Sequence, residues 1–207
     1  QGDTKILPCG FFILDSYEYS GWPVAVNISA VSVPAEGSFR ATERTFSLLT
    51  QVIGRAGRGN VPGKAIIQTL TPENEVIRLA ARQDYDAFFD TEIRLRRALV
   101  YPPYCDLCVV GFAGTDETVV KTAARNALEL LKRHLAGEFK GEKAIILGPM
   151  PARVAKVSGK FRYRLIIKCR NTGGMRRLIS RLLIETGEDS RFSKVTAYAD
   201  INPDSTV

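Results

Sequence analysis

Apolar residues recur at helical spacing through Phe46, Leu49, Ile53 and Ala56, and this predicts an amphipathic helix over residues 41–58. GKAIIQTL, residues 63–70, reads as a short strand. Thr71 is placed to cap a second helix, with Pro72 at its first position and Glu73 and Glu75 in its first turn, ending near Arg82. A third helix is expected from about Asp84 to Leu99, with Phe88, Ile93 and Leu95 among its apolar positions. Arg94, Arg96 and Arg97 lie near its end, where cations complement the helix dipole. Tyr101-Pro102-Pro103-Tyr104 then breaks the pattern, because proline removes backbone donors and holds the chain extended. A domain boundary is expected there, dividing residues 1–100 from 101–207.

Beyond the prolines the periods alternate between two and 3.6. A strand is predicted over 106–113, then a helix capped by Thr115, with Val120, Ala124, Ala127, Leu131 and Leu135 as its stripe and Gly137 as its stop. A strand at 144–148 follows, and then a hairpin of 152–157 with 161–169 that turns at Ser158-Gly159-Lys160. Leu178, Ile179, Leu182 and Leu183 mark another helix that stops at Gly187, and the last strand is 194–200. The order β-α-β-β-α-β commonly folds as a ferredoxin-like α+β sandwich. The expected class is therefore α/β in the first part and α+β in the second.

Charge sharpens this division. Residues 1–100 hold 11 Lys and Arg against 11 Asp and Glu, whereas residues 101–207 hold 18 against 11, which is the whole net charge of +7. Residues 143–184 contain 11 bases and no acid. Such a block suits a polyanion or an acidic peptide as partner, although a lone basic cluster is more commonly a solvated face. In FRYRLIIK, strand alternation sends Phe161, Tyr163, Leu165 and Ile167 to one face and Arg162, Arg164 and Lys168 to the other, with Lys156 and Lys160 near the turn. Cations spaced along a strand can track a phosphate backbone. Phe161 and Tyr163 are expected in the core rather than as stacking platforms.

The chain has 45% apolar residues and no run near the roughly 20 needed for a membrane span. Residues 1–7 lack the pattern of a secretory signal. Four cysteines without a paired framework suit a reducing cytosol. Cys105-Asp106-Leu107-Cys108 has metal-ligand spacing, but only His134, Cys9 and Cys169 remain to complete a site. On a strand the odd offset also points the two thiols to opposite faces. No metal site is expected. His134, in a last helical turn, reads as structural.

Residues 51–59, QVIGRAGRG, carry the most specific chemistry. Arg55 and Arg58 are two guanidinium forks near a helix end, each preceded by a glycine, and such forks bind phosphate bidentately. The same residues also suit a basic helix end with Gly59 as its stop. In the wider context FRATERTFSLLTQVIGRAGRGNVPGKAIIQT, residues 39–69, the stretch resembles the last motif of superfamily 2 helicases as found in the PriA family of replication-restart helicases. The resemblance continues through DYDAFFDTEIRLRRALVYPPY (84–104), ILGPMPARVAKVSGKFRYRLIIK (146–168) and DINP (200–203), and so covers roughly residues 39–207.

That resemblance implies a RecA-like lobe ending near residue 100, followed by a basic C-terminal domain. It implies that Gln51, Arg55 and Arg58 face ATP and magnesium bound by another lobe, with Arg58 as the arginine finger and Arg55 beside it. It further implies contacts with forked or single-stranded DNA, with the acidic tail of single-stranded DNA-binding protein and with other primosome proteins. Arg176, Arg177 and Arg181 are the candidates for the acidic tail. The family's zinc-binding cysteines belong to an insertion absent from these residues. The setting implied is the cytoplasm, at the nucleoid.

Two departures qualify the resemblance. No G-x-x-x-x-G-K-[ST] loop and no DEAH or DExx sequence occurs in the chain, so it reads as the C-terminal part of a longer 3′–5′ helicase and is expected to be inactive as an ATPase by itself. Residues 8–38 also differ from the family, which has a motif there that couples nucleotide state to DNA. Compensating frameshifts and true divergence both account for the difference, and poor order is an expectation for that stretch. The rival reading is a stand-alone basic module that binds nucleic acid or an acidic peptide without enzymatic action.

Overall fold

In a computed structural model, which describes residues 6–9, 25–28, 38–54 and 64–203, the short apolar segments ILPC, AVNI and KAII become parallel strands. They are β1 (Ile6–Cys9), β2 (Ala25–Ile28) and β3 (Lys64–Ile67), in the order β1-β2-β3. Ile6 is in register with Ala25, and Ala25 with Lys64. Within the divergent stretch 8–38, Ala25–Ile28 is thus a paired strand; apart from Pro8, Cys9 and Ser38, the rest of that stretch lies outside the described residues.

Three helices follow in this part of the chain. α1 (Ala41–Ile53) buries Ala41, Thr45, Phe46 and Leu49, the spacing of a single helix face. α2 is Glu75–Ala81 and α3 is Tyr85–Ala98. Phe46, Leu49, Ile77, Ala80 and Phe88 form one core cluster, with the Phe46 and Phe88 rings stacked at 4.1 Å between centroids. The cap of α2 is Asn74, not Thr71: its side chain accepts from Val76 N–H at 3.0 Å, while Pro72 and Glu73 occupy a turn outside the helix. An amide oxygen held by an extended Asn74 backbone meets the second helical N–H directly.

The chain divides into two units between Arg94 and Leu95, with Ser38 and Phe39 belonging to the second. The second unit contains β4 (Asp106–Gly114), α4 (Glu117–Ala136), β5 (Ala144–Val157), β6 (Lys160–Cys169), α5 (Gly173–Glu188), a 3-10 turn at Ser190–Phe192 and β7 (Thr196–Ile201). The sheet order is β5-β6-β4-β7, and every neighbouring pair is antiparallel. Asp116 caps α4 in place of Thr115, accepting from Val119 N–H at 3.1 Å, and Gly137 is the C-cap as expected. Thr172 caps α5 through Met175 N–H at 2.9 Å.

The two expected strands 144–148 and 152–157 are one strand, β5, with register irregularities between Leu147 and Met150 and between Pro151 and Lys156. Its prolines are tolerated because β5 is an edge strand, where a missing N–H leaves no ladder bond broken on the outer side. The core lies between α4, α5 and one face of the sheet, where Val110, Phe112, Leu165, Ile167, Val120, Leu131, Leu178 and Leu182 are essentially inaccessible. Each such side chain contributes about 1.5–3 kcal/mol on leaving water. Ala123, Ala124 and Ala127 are also buried, and their small size lets α4 lie close to the sheet. No helix among the described residues is long and apolar enough to cross a membrane.

Candidate nucleic-acid interface

The basic hairpin is built by a two-residue turn. Val157 pairs with Lys160, and Ser158 and Gly159 between them have φ of 49° and 78°. Two left-handed residues in succession match the twist of paired strands. The turn holds Lys156 opposite Phe161, with Nζ 4.5 Å from the ring centroid, and leaves Lys160 exposed.

Along β6 Tyr163, Leu165 and Ile167 join the core as expected, whereas Phe161 is only half-buried and lies under Lys156. Tyr163 Oη donates to Glu117 Oε1 at 3.0 Å, which removes this ring from any stacking role. On the opposite face Arg162 and Arg164 are half-buried. Burial chiefly, and then Arg162, lower the pKa of Arg164 from the ordinary guanidinium value. Its Nε is buried without a hydrogen-bond partner, and among the described residues no carboxylate pairs with either arginine.

Lys168 departs from the expectation of an open basic face. It is buried, its Nζ donates to Leu99 O at 2.6 Å, and it lies 3.6 Å from the centroid of Tyr101. Phe39, Val100 and Tyr101 cover this end of the sheet over Leu107 and Ile166. Alternation places Lys168 on the correct face, but the chain following α3 folds over it. Arg96 has a similar structural task, reaching Phe39 O and Pro102 O at 3.5 and 3.4 Å.

The arginines of α5 are unequal. Arg176 donates to Asn171 O and Oδ1, each at 3.0 Å. Arg181 is neutralised by Glu138 and by Glu185, the latter at 2.9 Å. Glu185 also meets His134 Nε2 at 2.9 Å, so His134 belongs to a polar cluster tying α4 to α5. Arg177 is exposed.

Of the nucleotide-motif residues, Gln51 lies exposed in the last turn of α1, while Arg55 and Arg58 lie outside the described residues. Cys105 and Cys108 are buried in different clusters, and Cys105 Sγ donates to Val100 O at 3.2 Å. Burial pushes the Cys108 thiol up to about 12 and that of Cys169 to about 11, values of inert core thiols.

The expected site omits one aromatic. Tyr198 stands on the same face as Arg162 and Arg164, through the register of Gly111 with both Arg164 and Tyr198. Its ring lies across Gly111: a Cβ at that position would come within 2.3 Å of Tyr198 Cζ and 2.5 Å of Oη. Arg162 Nη2 is 3.5 Å from Tyr198 Oη. The available signal was the glycine inside VVGFAG, since a glycine within a strand often marks a close approach.

These features define a two-unit mixed α/β protein whose second unit presents a sheet face where Arg162 and Arg164 have no carboxylate partner among the described residues. The family model for the primosomal protein N C-terminal domain matches residues 97–204, and the chain belongs to that family. Similar proteins include the replication restart protein PriA of Bacillus subtilis (strain 168), 34% identical over 80% of this chain and 20% of that protein. The namesake of Thermotoga maritima is 39% identical over 70% of this chain and 18% of its own length, and that of Synechocystis is 36% identical over 68% and 16%. The chain spans about a fifth of the length of these relatives. The Bacillus match extends over 165 residues, longer than the matched domain, so it reaches into the first unit.

Proposed function

We propose that the chain supplies the C-terminal part of an ATP-dependent 3′–5′ DNA helicase that recognises stalled replication forks and helps reassemble the primosome. The observation that carries this reading is the sheet face bearing Arg162 and Arg164, which have no carboxylate partner among the described residues, in a chain of this family. Lys160 extends the face toward the hairpin tip, while Lys156, paired with Phe161, adds a cation at the tip from the other side of the sheet. The partner is forked or single-stranded DNA.

The parallel strands and α1 are consistent with residues 1–100 as the end of a RecA-like lobe. The order β5-β6-β4-β7, which in the unit's own sequence order is two-three-one-four, supports a ferredoxin-like fold for residues 101–207. In the complete helicase Arg55 and Arg58 would present guanidinium groups, and Gln51 its amide, to magnesium-bound ATP, while the phosphate-binding loop comes from outside these residues. Arg177 is the strongest remaining candidate for the acidic tail of single-stranded DNA-binding protein, because Arg176 and Arg181 already have partners. The setting is the cytoplasm, at the nucleoid. By itself the chain is expected to bind DNA without hydrolysing ATP.

The deciding experiment compares the chain with its Arg162→Ala/Arg164→Ala variant on forked DNA across a salt series. Loss of two phosphate contacts should weaken binding and flatten the slope of log K against log salt by about two. Unchanged affinity and slope in a folded variant would remove the role assigned to this face.

A further inference from the structure

We propose that the sheet face around Tyr198 is a stacking subsite for an unpaired base of single-stranded DNA, with the flanking phosphates held by Arg162 and Arg164. The proposal rests on the DNA-binding reading above and adds to it a distinction between single and double strands.

Three observations converge on this small area. Tyr198 is 41% exposed, although its ring lies flat enough on the sheet to occupy the space of a side chain at Gly111. A tyrosine with no positional role would be expected to extend into water; here the missing Cβ of β4 gives the ring a seat on the backbone. Cation placement is the second observation. Arg162 reaches within 3.5 Å of Tyr198 Oη, and Arg164 stands in the same row through Gly111, with its Nε buried and unpartnered. A guanidinium held partly out of water without a counter-ion favours the arrival of an anion.

The third observation is the limit of the charged area. The end of the face at Lys168 is covered by Tyr101, and Asp200 lies exposed on β7 beyond Tyr198. A phosphate chain is thus repelled from that end and drawn across Arg162 toward Lys160 at the hairpin. An acidic peptide would satisfy the arginines but would leave the ring unused. A duplex would offer phosphates, but its bases are already paired and stacked. A single strand uses both parts, since such sites combine a cationic track with aromatic platforms.

The test uses the full 207-residue chain and fluorescence anisotropy with three probes. These are oligothymidylate of about twelve nucleotides, within the range of a single-domain site, an abasic strand of the same length and a blunt duplex. The chain should bind the thymidylate about five- to a hundredfold more tightly than the abasic strand, the contribution of one stacked base. Tyr198→Leu should abolish that preference with the salt slope unchanged. Gly111→Ala should do the same by displacing the ring, and Tyr198→Phe, which retains the ring, should restore it. Thermal unfolding followed by circular dichroism checks each fold, and the Leu variant decides should the glycine variant unfold.

Equal affinity of the unaltered chain for thymidylate and abasic strands would overturn the stacking proposal, as would a full preference in Tyr198→Leu. Either result leaves the electrostatic reading intact, because the arginine variants report on it separately. Failure to bind any of the three probes would overturn the stacking proposal, and failure to bind forked DNA as well would overturn the DNA-binding reading.

Discussion

Lys168 illustrates how one residue's surroundings reassign its task. Its face and charge match those of Arg162 and Arg164, yet its ammonium satisfies the Leu99 carbonyl just beyond α3 and packs on Tyr101. Carbonyls at a helix end have no intrahelical donor, so a buried cation there replaces water. Lys168→Met keeps the stem and removes the donor. Urea unfolding should show a loss of about 1.5–3 kcal/mol, the range for a hydrogen bond to a charged group, with no change in the salt slope of DNA binding. Asn202 has a structural task at the same end of the sheet, where Leu107 pairs with Lys168. At φ 52° it accepts from Leu107 N–H at 3.0 Å and donates to Asp106 Oδ1 at 3.0 Å. Asparagine tolerates this left-handed backbone better than most residues. Asp106 is held below the ordinary carboxylate value, first by Asn171 N–H and then by the Asn202 amide.

The hairpin is the element on which the candidate interface depends. Its turn sets the register that places Arg162 and Arg164 on one face, and a slip of one residue would send both into the core. Gly159 has φ of 78° with no atom near the position of a Cβ. A Gly159→Ala change therefore tests backbone conformation alone. It should lower stability by about 1–2 kcal/mol, read as a shift in the denaturant midpoint. The helix caps show the competing local chemistry. Asn74 and Asp116 displace Thr71 and Thr115 because a carbonyl or carboxylate one or more residues closer to the helix reaches its first N–H groups better than a hydroxyl does.

For the molecule as a whole, the relevant quantities are charge distribution and response to pH. The excess of +7 arises entirely in residues 101–207, so salt-sensitive binding to polyanions should reside in the second unit. Acid stability should depend in part on Glu185, whose pKa is held below its ordinary 4.5, first by its bond to His134 and then by Arg181. As pH falls, the unfolded chain takes up this proton before the folded one does. The stabilisation is therefore complete above about pH 4.5 and is lost as pH falls through the lower folded value. Glu185→Gln should flatten the dependence of Tm on pH in that acidic range; a parallel curve displaced downward would show that the carboxylate charge is not involved.

Local pattern alone determined much of this protein. Phe46 and Leu49, the α4 stripe from Val120 to Leu131, and the alternation of Tyr163, Leu165 and Ile167 are periodic signals imposed by burying one face of an element, and all are buried. The hairpin turn was legible for a similar reason, since Ser158-Gly159 meets a conformational need within two residues. Tertiary structure decided the fate of individual charges. Nothing near Lys168 announces that Tyr101, 67 positions earlier in the numbering of the chain, will cover it. Nothing in GMRRLISR distinguishes Arg181, paired with Glu138 and Glu185, from the exposed Arg177. Tyr198 and Gly111 likewise meet only through the pairing of β4 with β7. Periodicity records which face an element buries; the neighbours across that face are set by the packing of distant segments.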